Sequence, residues 1–282
     1  MTRTHRASVA GLALTALFLG AQTASAQFTN GGFETGGFSG WSTAGDNFIE
    51  GSSLGTGPVE GSHDALLATA TDGSVNSDVP AGQGVGASSL ESLLGVNSGT
   101  LNGIGNGVPV LGSAITQTLT VQSGQQVQMD WDMLTNQVYN DGTSDSYAPT
   151  TANNDFVFAT VVPSGNPNGA FVVKLADTLY GYVDDPNAPG GFITGFSLTP
   201  ASNPFISETG FQTFSWTASA TGTYTIGIGV LHVTNGPDDG INSAILVDNA
   251  RLSAVPEPSS LAALGLLGLG LALRRRTKGH AR

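Results

Sequence analysis

The chain has 282 residues, 40 of them glycine, no cysteine, and a formal net charge of −12. Without cysteine it cannot form disulfides, so its stability must come from a sizeable apolar core, helped at most by a bound ion. The excess of negative charge disfavours nucleic acid and anionic membrane surfaces as partners, and it favours cations.

The first 26 residues have the layout of a secretory signal peptide. Two arginines precede an apolar stretch over residues 9–20, and Ala24 and Ala26 form an Ala-x-Ala cleavage site. The sequence therefore predicts a signal helix, export, and a mature chain that begins at Gln27.

Residues 27–253 are far more acidic than the whole chain. They contain 20 acidic side chains against two basic ones, Lys174 and Arg251, which gives a net charge of about −18 with neutral histidines. Two interpretations remain open at this point, a surface charge that keeps an exported protein soluble, or a role in binding divalent cations.

The same residues favour an all-β fold in a single domain. Turns rich in Gly, Ser, Thr and Asn separate short alternating runs, and no segment repeats with a period of 20–50 residues. Without room for crossover helices, such strands pack as two antiparallel sheets, which predicts a β-sandwich of jelly-roll type. The predicted strands are 114–121, 126–133, 155–161, 170–175, 212–217, 224–230 and 244–252, the first two forming a hairpin.

Two details refine this prediction. Residues 88–95 suggest one or two helical turns within a glycine-rich excursion, which we expect to lie over the sandwich. In the strand at 224–230, Tyr224 and Ile226 point to one face, while Gly227 and Gly229 point to the other. The glycine face is expected to be bare or solvated.

Asp130 and Asp132 are the nearest approach to a catalytic pair. Two apart in a strand, they share a face at about 7 Å along the chain, within the carboxylate separation of inverting glycosidases, about 6.5–9.5 Å. Acids that are solvated or contact a glycan on the outer face give the same pattern. There is no cysteine nucleophile and no His-Glu-x-x-His motif, so we expect no catalytic activity.

The last 28 residues form a tripartite signal. A Pro-Glu-Pro patch is followed by an apolar run over residues 261–273 and by three arginines. Thirteen residues make about 20 Å of helix, short of the roughly 30 Å hydrocarbon core, which favours a short, removable anchor over a permanent one. The residues that define the signal are Val255, Pro256, Glu257, Pro258, Arg274, Arg275 and Arg276.

This ending resembles the PEP-CTERM signal of bacterial surface and matrix proteins. The resemblance implies export, transient anchoring in the membrane, and processing by an exosortase-type peptidase.

The segments 28–41 and 243–252 resemble the opening and closing strands of galactose-binding-like jelly rolls, the fold of many carbohydrate-binding modules. That resemblance implies a structural calcium where the first and last strands meet, with Glu34 and Asp248 as acidic ligands. The alternative is that Glu34 is a solvated turn residue and that Asp248 caps a loop through hydrogen bonds.

Together these features predict a signal peptide at 1–26, a β-sandwich domain at 27–253, and a sorting signal with a short hydrophobic helix at 254–282. The expected function is an exported structural protein of the cell surface or extracellular matrix. Its expected partners are the processing peptidase, the membrane and exopolysaccharide, but no nucleic acid, and calcium is the one expected cofactor. The alternative is a carbohydrate-binding module, and a glycoside hydrolase is the least favoured.

Overall fold

The computed structural model describes residues 27–69, 84–105, 107–135, 154–178, 181–182, 205, 207–233 and 243–253. Within them the chain forms two antiparallel sheets packed face to face, which confirms the predicted β-sandwich. The terminal helices predicted in 1–26 and 254–282 lie outside these residues. None of the helices that are described has the length and apolar character needed to cross a bilayer.

The described strands divide between two sheets. The seven predicted strands agree with described strands to within about five residues, and six further strands of two to five residues were not predicted. The first sheet has the spatial order β1 (Ser42–Ala44), β5 (Pro109–Val121), β12 (Gly222–Val233), β7 (Phe156–Pro163), β8 (Phe171–Asp177) and β9 (Gly181–Tyr182), and β4 (Val85–Gly86) also pairs with β5. The second has the order β10 (Ser207–Glu208), β6 (Gln126–Thr135), β13 (Ser243–Leu252), β3 (Asp64–Ala68) and β2 (Asp46–Glu50), and β11 (Gln212–Thr217) also pairs with β6.

The predicted hairpin between β5 and β6 is wrong, because the two strands belong to different sheets. Their turn crosses the sandwich, so that their apolar faces meet across the core instead of lying side by side. The connection from β11 to β12 crosses in the same way. The two crossings are joined, since Gly124 N–H donates to the Ala218 carbonyl (2.7 Å) and Ala218 N–H donates to the Gln125 carbonyl (2.9 Å).

Three apolar clusters hold the described residues together. The largest lies between the sheets and includes Trp131 and Ile228. A second, around Leu66 and Leu246, lies on the outer face of the second sheet. The third covers the outer face of the first sheet. Burial on three levels supplies the stability that a chain without disulfides requires.

The third cluster forms under the helical insertion, as the sequence predicts. Helix α1 (Ala87–Leu94) ends at Gly95, which has the left-handed conformation of a helix C-cap. Its last residue, the fully buried Leu94, packs onto β12 at Gly227, where a Cβ atom would lie 2.4 Å from Leu94 Cδ2. The expectation of a bare or solvated glycine face is therefore wrong. Because Gly227 has no side chain, it leaves the space that Leu94 of the helix occupies.

The first residues after position 27 form turns rather than the opening strand implied by the resemblance. Phe33 is fully buried and stacks on Trp41 with ring centroids 5.4 Å apart. The segment nevertheless meets the end of the domain, because Ala250 N–H donates to the Gly31 carbonyl at 2.9 Å.

We expect Gly227→Ala to lower the free energy of unfolding by about 1–3 kcal/mol, since the new methyl group overpacks the site. The contact is with Leu94, so the same substitution made in a Leu94→Ala variant should lower the free energy of unfolding by less. Leu94→Ala alone should cost about 2–5 kcal/mol through the cavity it leaves. Urea unfolding of the four proteins gives this double-mutant cycle.

The matched control is Gly37→Ala, because no atom lies within 4 Å of a Cβ at Gly37. It should change stability by less than about 0.5 kcal/mol. Equal losses at positions 37 and 227 would contradict the packing of α1 on this glycine.

Candidate functional site

The outer face of the second sheet carries a row of four carboxylates on four adjacent strands. Glu50 of β2 pairs with Asp64 of β3, and Asp248 of β13 pairs with Asp130 of β6. The ladder between β3 and β13 ends with Val247 opposite Ala65, so Asp64 and Asp248, the next residues on the two strands, are also neighbours. The four carboxylates point outward, since the adjacent residues in each strand, Ile49, Ala65, Val247 and Trp131, lie in the core between the sheets. We call these four residues the carboxylate row.

Three further acids share this face, Asp46, Asp132 and Glu208. Together with the carboxylate row they form what we call the acidic face. All seven side chains are buried, with at most 8 % of any residue exposed. They surround the apolar cluster of Leu66 and Leu246, against which the half-buried Phe48 and Phe211 pack.

Asp130 is the neutralised member of the row. Its Oδ2 accepts from Arg251 Nη1 at 2.9 Å and from Asn249 Nδ2 at 2.7 Å, and its Oδ1 accepts from Thr213 Oγ1 at 2.7 Å. The sequence placed Asp130 and Asp132 on the outer face correctly, but as solvated acids. They are buried, Asp130 against Arg251, Asn249 and Thr213, and Asp132 beside Thr209 and Glu208.

Asp132 forms a pair with Glu208 of β10. Burial raises the pKa of Asp132 to about 8, and the nearby charge of Glu208 adds to the effect. Burial also raises the pKa of Glu208. Thr209 Oγ1 donates to Asp132 Oδ1 at 3.0 Å. Two carboxyls in such a site cannot both ionise cheaply, so one proton is retained by the pair at neutral pH.

Asp64 has the least compensated environment of the row. It is fully buried, and within the described part of the chain neither of its carboxylate oxygens accepts a hydrogen bond from another residue. Burial raises its pKa to about 8, with further contributions from the charges of Asp248, Glu50 and Asp132. Sequence analysis did not single out Asp64, which stands at the start of the apolar run of β3. The signal that could have found it is an acid in a fully buried strand, in a domain with almost no basic residues.

Glu34 and Asp248, predicted to bind calcium, approach the same loop between β2 and β3. Glu34 Oε1 accepts from the backbone N–H groups of Ser62 (2.9 Å) and His63 (2.8 Å), which hold the pKa of Glu34 below its usual value. Asp248 Oδ2 accepts from the Glu60 N–H at 2.7 Å. A Cβ atom at Gly32 would lie within 4 Å of side-chain atoms of Glu34, Glu60 and Asp248, so these acids converge.

These hydrogen bonds bear on whether calcium fits there. The remaining oxygens also have donors, Ser62 Oγ for Glu34 Oε2 and the Asn249 N–H for Asp248 Oδ1. All four oxygens are thus satisfied by protein groups, and no cluster of three or more His, Cys, Asp or Glu side chains suited to a metal occurs among the described residues. Oxygen is the donor that calcium prefers, but no orphaned oxygen of this pair demands an ion. A calcium ion between Glu34 and Asp248 stays a prediction.

The residues predicted for targeting lie outside the described part of the chain, both at the signal cleavage site (Ala24, Ala26) and in the C-terminal signal. Comparison with known families addresses the second. Residues 254–276 match the PEP-CTERM protein-sorting motif, which confirms the predicted sorting signal. The motif indicates a secreted protein that is directed to the surface. A search of curated proteins finds no match to the chain.

Among solved structures the sandwich is similar to carbohydrate-binding modules and to adhesin domains. The carbohydrate-binding module TmCBM61, solved with β-1,4-galactotriose, has a TM-score of 0.39 and 12% identity over 81% of this chain and 99% of its own. The K3 cleaved adhesin domain of Lys-gingipain from Porphyromonas gingivalis has a TM-score of 0.34 and 10% identity, covering 81% and 99%. The xylan-binding domain CBM22-2 of Paenibacillus barcinonensis Xyn10C has a TM-score of 0.31 and 10% identity, covering 79% and 97%. At these values the similarities carry no argument about function.

The raised pKa values make stability dependent on pH. The folded protein holds protons on Asp64 and Asp132 up to pH about 8, whereas the unfolded chain releases them near its usual pKa of 3.8. The folded state therefore binds more protons across this window, and stability falls as the pH rises through it. We expect a higher melting temperature at pH 5 than at pH 8 in the presence of chelator.

Asp132→Asn should flatten this dependence, because the amide keeps the hydrogen bond from Thr209 and does not ionise. Glu34→Gln is the control, since Glu34 is ionised in both states over this range and its replacement should leave the slope unchanged. Stability that rises steadily from pH 5 to pH 8 would contradict the burial of these acids.

Proposed function

We propose that the protein is an exported structural component of the cell surface or extracellular matrix, without catalytic activity. The observation that carries this proposal is the sorting motif at residues 254–276, which begins two residues after the last strand that the structure describes, β13 (Ser243–Leu252). Sorting at the C-terminus delivers the sandwich itself to the outside, because that is the folded body to which the motif is attached.

The construction of the body supports this role. Its apolar clusters lie between the sheets and on both outer faces, so it does not depend on disulfides, and it exposes few large apolar side chains among the described residues. The strong negative charge of residues 27–253 keeps such a body soluble and gives it affinity for cations in a polysaccharide matrix.

The processing steps follow from the two terminal signals. A signal peptidase cleaves after Ala26, the apolar run and the arginines retain the chain in the membrane, and an exosortase-type peptidase removes the tail near Val255. Both peptidases and the membrane are transient partners.

The surroundings of Asp130 support a non-enzyme. A general acid must hold and release a proton toward the substrate, but Asp130 is engaged by Arg251, Asn249 and Thr213. Asp132, its partner at glycosidase spacing, is buried beside Glu208. The pair is part of the sheet's own packing.

Deletion of the gene should reduce the cohesion of the biofilm, and complementation tests the cause. The wild-type chain should restore cohesion and should be found in the surface or matrix fraction with a C-terminal peptide that ends near Val255. A variant with Gln at positions 274–276 should be exported but should not restore cohesion, because the stop formed by the arginines is lost. Asp132→Asn should restore it, since no chemistry is required of that residue.

The matched control is Lys278→Gln, a basic residue just beyond the matched motif, which should behave as wild type. Unprocessed protein in the cytosol would contradict the proposal. Hydrolysis of the producer's polysaccharide by the wild-type protein would also contradict it, if Asp132→Asn abolished that hydrolysis and circular dichroism showed that the variant keeps its fold.

A carbohydrate-binding module is the second candidate, and one observation favours it. Phe48 and Phe211 are only half buried and lie on the acidic face beside carboxylates. Sugars are bound by aromatic rings that cover their apolar faces and by carboxylates that accept from their hydroxyls. On the outer face of the second sheet the two half-buried rings are the groups open to such a contact, because the carboxylates around them are buried.

If a glycan binds there, Phe48→Ala should weaken binding by about 0.5–1.5 kcal/mol, the contribution of one aromatic contact. Phe171→Ala is the matched control, because Phe171 is exposed on the first sheet, away from the acidic face. The measurement is a glycan array followed by calorimetry on the best ligand. An array that is blank in calcium and in chelator alike removes this candidate.

A further inference from the structure

Strand β11 forms an edge of the second sheet that lacks the usual protection of edge strands. It pairs with β6 on one side, and no other described strand pairs with its second side. The ladder with β6 runs over Gln212–Thr217 without a bulge, and these residues include neither a charge nor a proline. Native edge strands are usually short, charged, bulged or covered, because their unpaired N–H and C=O groups are a template for another strand.

The other described edges have such protection. β1 and β9, at the two ends of the first sheet, have three and two residues. β2, at the other end of the second sheet, carries an acid at each end, Asp46 and Glu50. These edges are short or charged, and β11 is neither.

The apolar core is open to solvent beside β11. Phe171 of β8 pairs with the core residue Val161, so its ring points between the sheets. The residue is nevertheless 40 % exposed, and its ring lies 6.4 Å from that of Phe214 in β11. Trp216 of β11 is half buried and packs against the same cluster. An inward-facing ring that solvent reaches indicates that the sandwich can be covered further at this edge.

The charge pattern indicates what covers it. Residues 209–231 contain no acidic or basic residue and no histidine. On the neighbouring strands Lys174 pairs with Asp177, and Asp130 pairs with Arg251. The edge is therefore neutral in a domain with a net charge of about −18. Two copies of this domain repel each other in most orientations, but at this edge they can meet without bringing like charges together. A basic partner would gain nothing there.

We propose that β11 pairs in antiparallel fashion with β11 of a second copy of the chain, so that the two second sheets join into one. The two-fold axis passes through Ser215, which lies opposite the partner's Ser215. Phe214 then lies opposite the partner's Trp216, and this aromatic pair occurs twice. A slip of one residue would set inward-facing side chains against outward-facing ones, and a slip of two would leave Trp216 opposite the partner's Gln212.

The pairing closes after two copies. Each copy contributes the same edge, so the interface is isologous and gives a dimer instead of a fibre. The partner also covers Phe171, which lies beside β11. One pair of short strands is a small contact, and small interfaces are weak. The dimer is therefore expected to form at high local concentration.

Sedimentation velocity of the purified protein over a concentration series tests the pairing. The wild type should show a monomer–dimer equilibrium that shifts toward the dimer at higher salt, because salt screens the repulsion between the two acidic copies. Ser215→Glu should raise the Kd of the dimer by about tenfold or more, since it sets two like charges directly opposite each other. The matched control is Ser42→Glu, at an exposed serine in β1, at the opposite end of the first sheet. It should leave the Kd unchanged.

Ser215→Cys tests the register. The chain has no cysteine of its own, so mild oxidation can join two copies only through position 215. A covalent dimer should form, whereas Ser42→Cys should stay monomeric under the same conditions. Both serines are exposed, and circular dichroism verifies that the variants fold.

Three results would overturn the proposal. The first is a wild type that stays monomeric up to its solubility limit, including one that binds a peptide or a glycan at this edge instead. The second is a dimer that Ser215→Glu weakens no more than Ser42→Glu does. The third is equal cross-linking of the two cysteine variants. None of these readouts depends on surface sorting or on matrix cohesion.

Discussion

The paired crossings between the two sheets determine the rest of the structure. The hydrogen bonds that join Gly124 and Gln125 to Ala218 hold the β5–β6 and β11–β12 connections side by side. Each connection therefore joins a strand of one sheet to a strand of the other. β6 is thereby placed next to β13, which sets Asp130 opposite Asp248 and completes the carboxylate row. If β6 paired with β5 instead, Asp130 and Asp248 would not lie on neighbouring strands.

Strand positions could be read from the sequence because the signal is local. Alternation in runs such as 212–217, closed by turn residues, fixes where a strand begins and ends, and β11 has the predicted bounds. The partner of a strand is not a local property. A short turn with glycine serves a hairpin or a crossing equally well, and only contacts with the distant Ala218 distinguish them. The covered face of Gly227 was missed for the same reason, since an absent side chain indicates space without saying what fills it.

The candidate site was predictable in part. The resemblance at the two ends of the domain implies a calcium site at Glu34 and Asp248, which stays a prediction, and both residues accept from the loop between β2 and β3. Asp64 could not be found in this way, because its importance comes from neighbours at positions 50 and 248 in sequence. The lack of basic residues was visible from the start, but its consequence needs the fold. In the folded chain Arg251 pairs with Asp130 and Lys174 pairs with Asp177, so neither basic side chain of residues 27–253 neutralises the rest of the carboxylate row.

The placement of β13 has a mechanical consequence. This strand is the last of the described strands and lies between β3 and β6 in the middle of its sheet. Its ladder continues to Ser253, whose N–H donates to the Gln126 carbonyl at 2.9 Å, one residue before the sorting motif. A pull on a tail held at the envelope would run parallel to the strand and load two ladders of hydrogen bonds in shear at once. Such a geometry resists extraction far better than peeling from an edge.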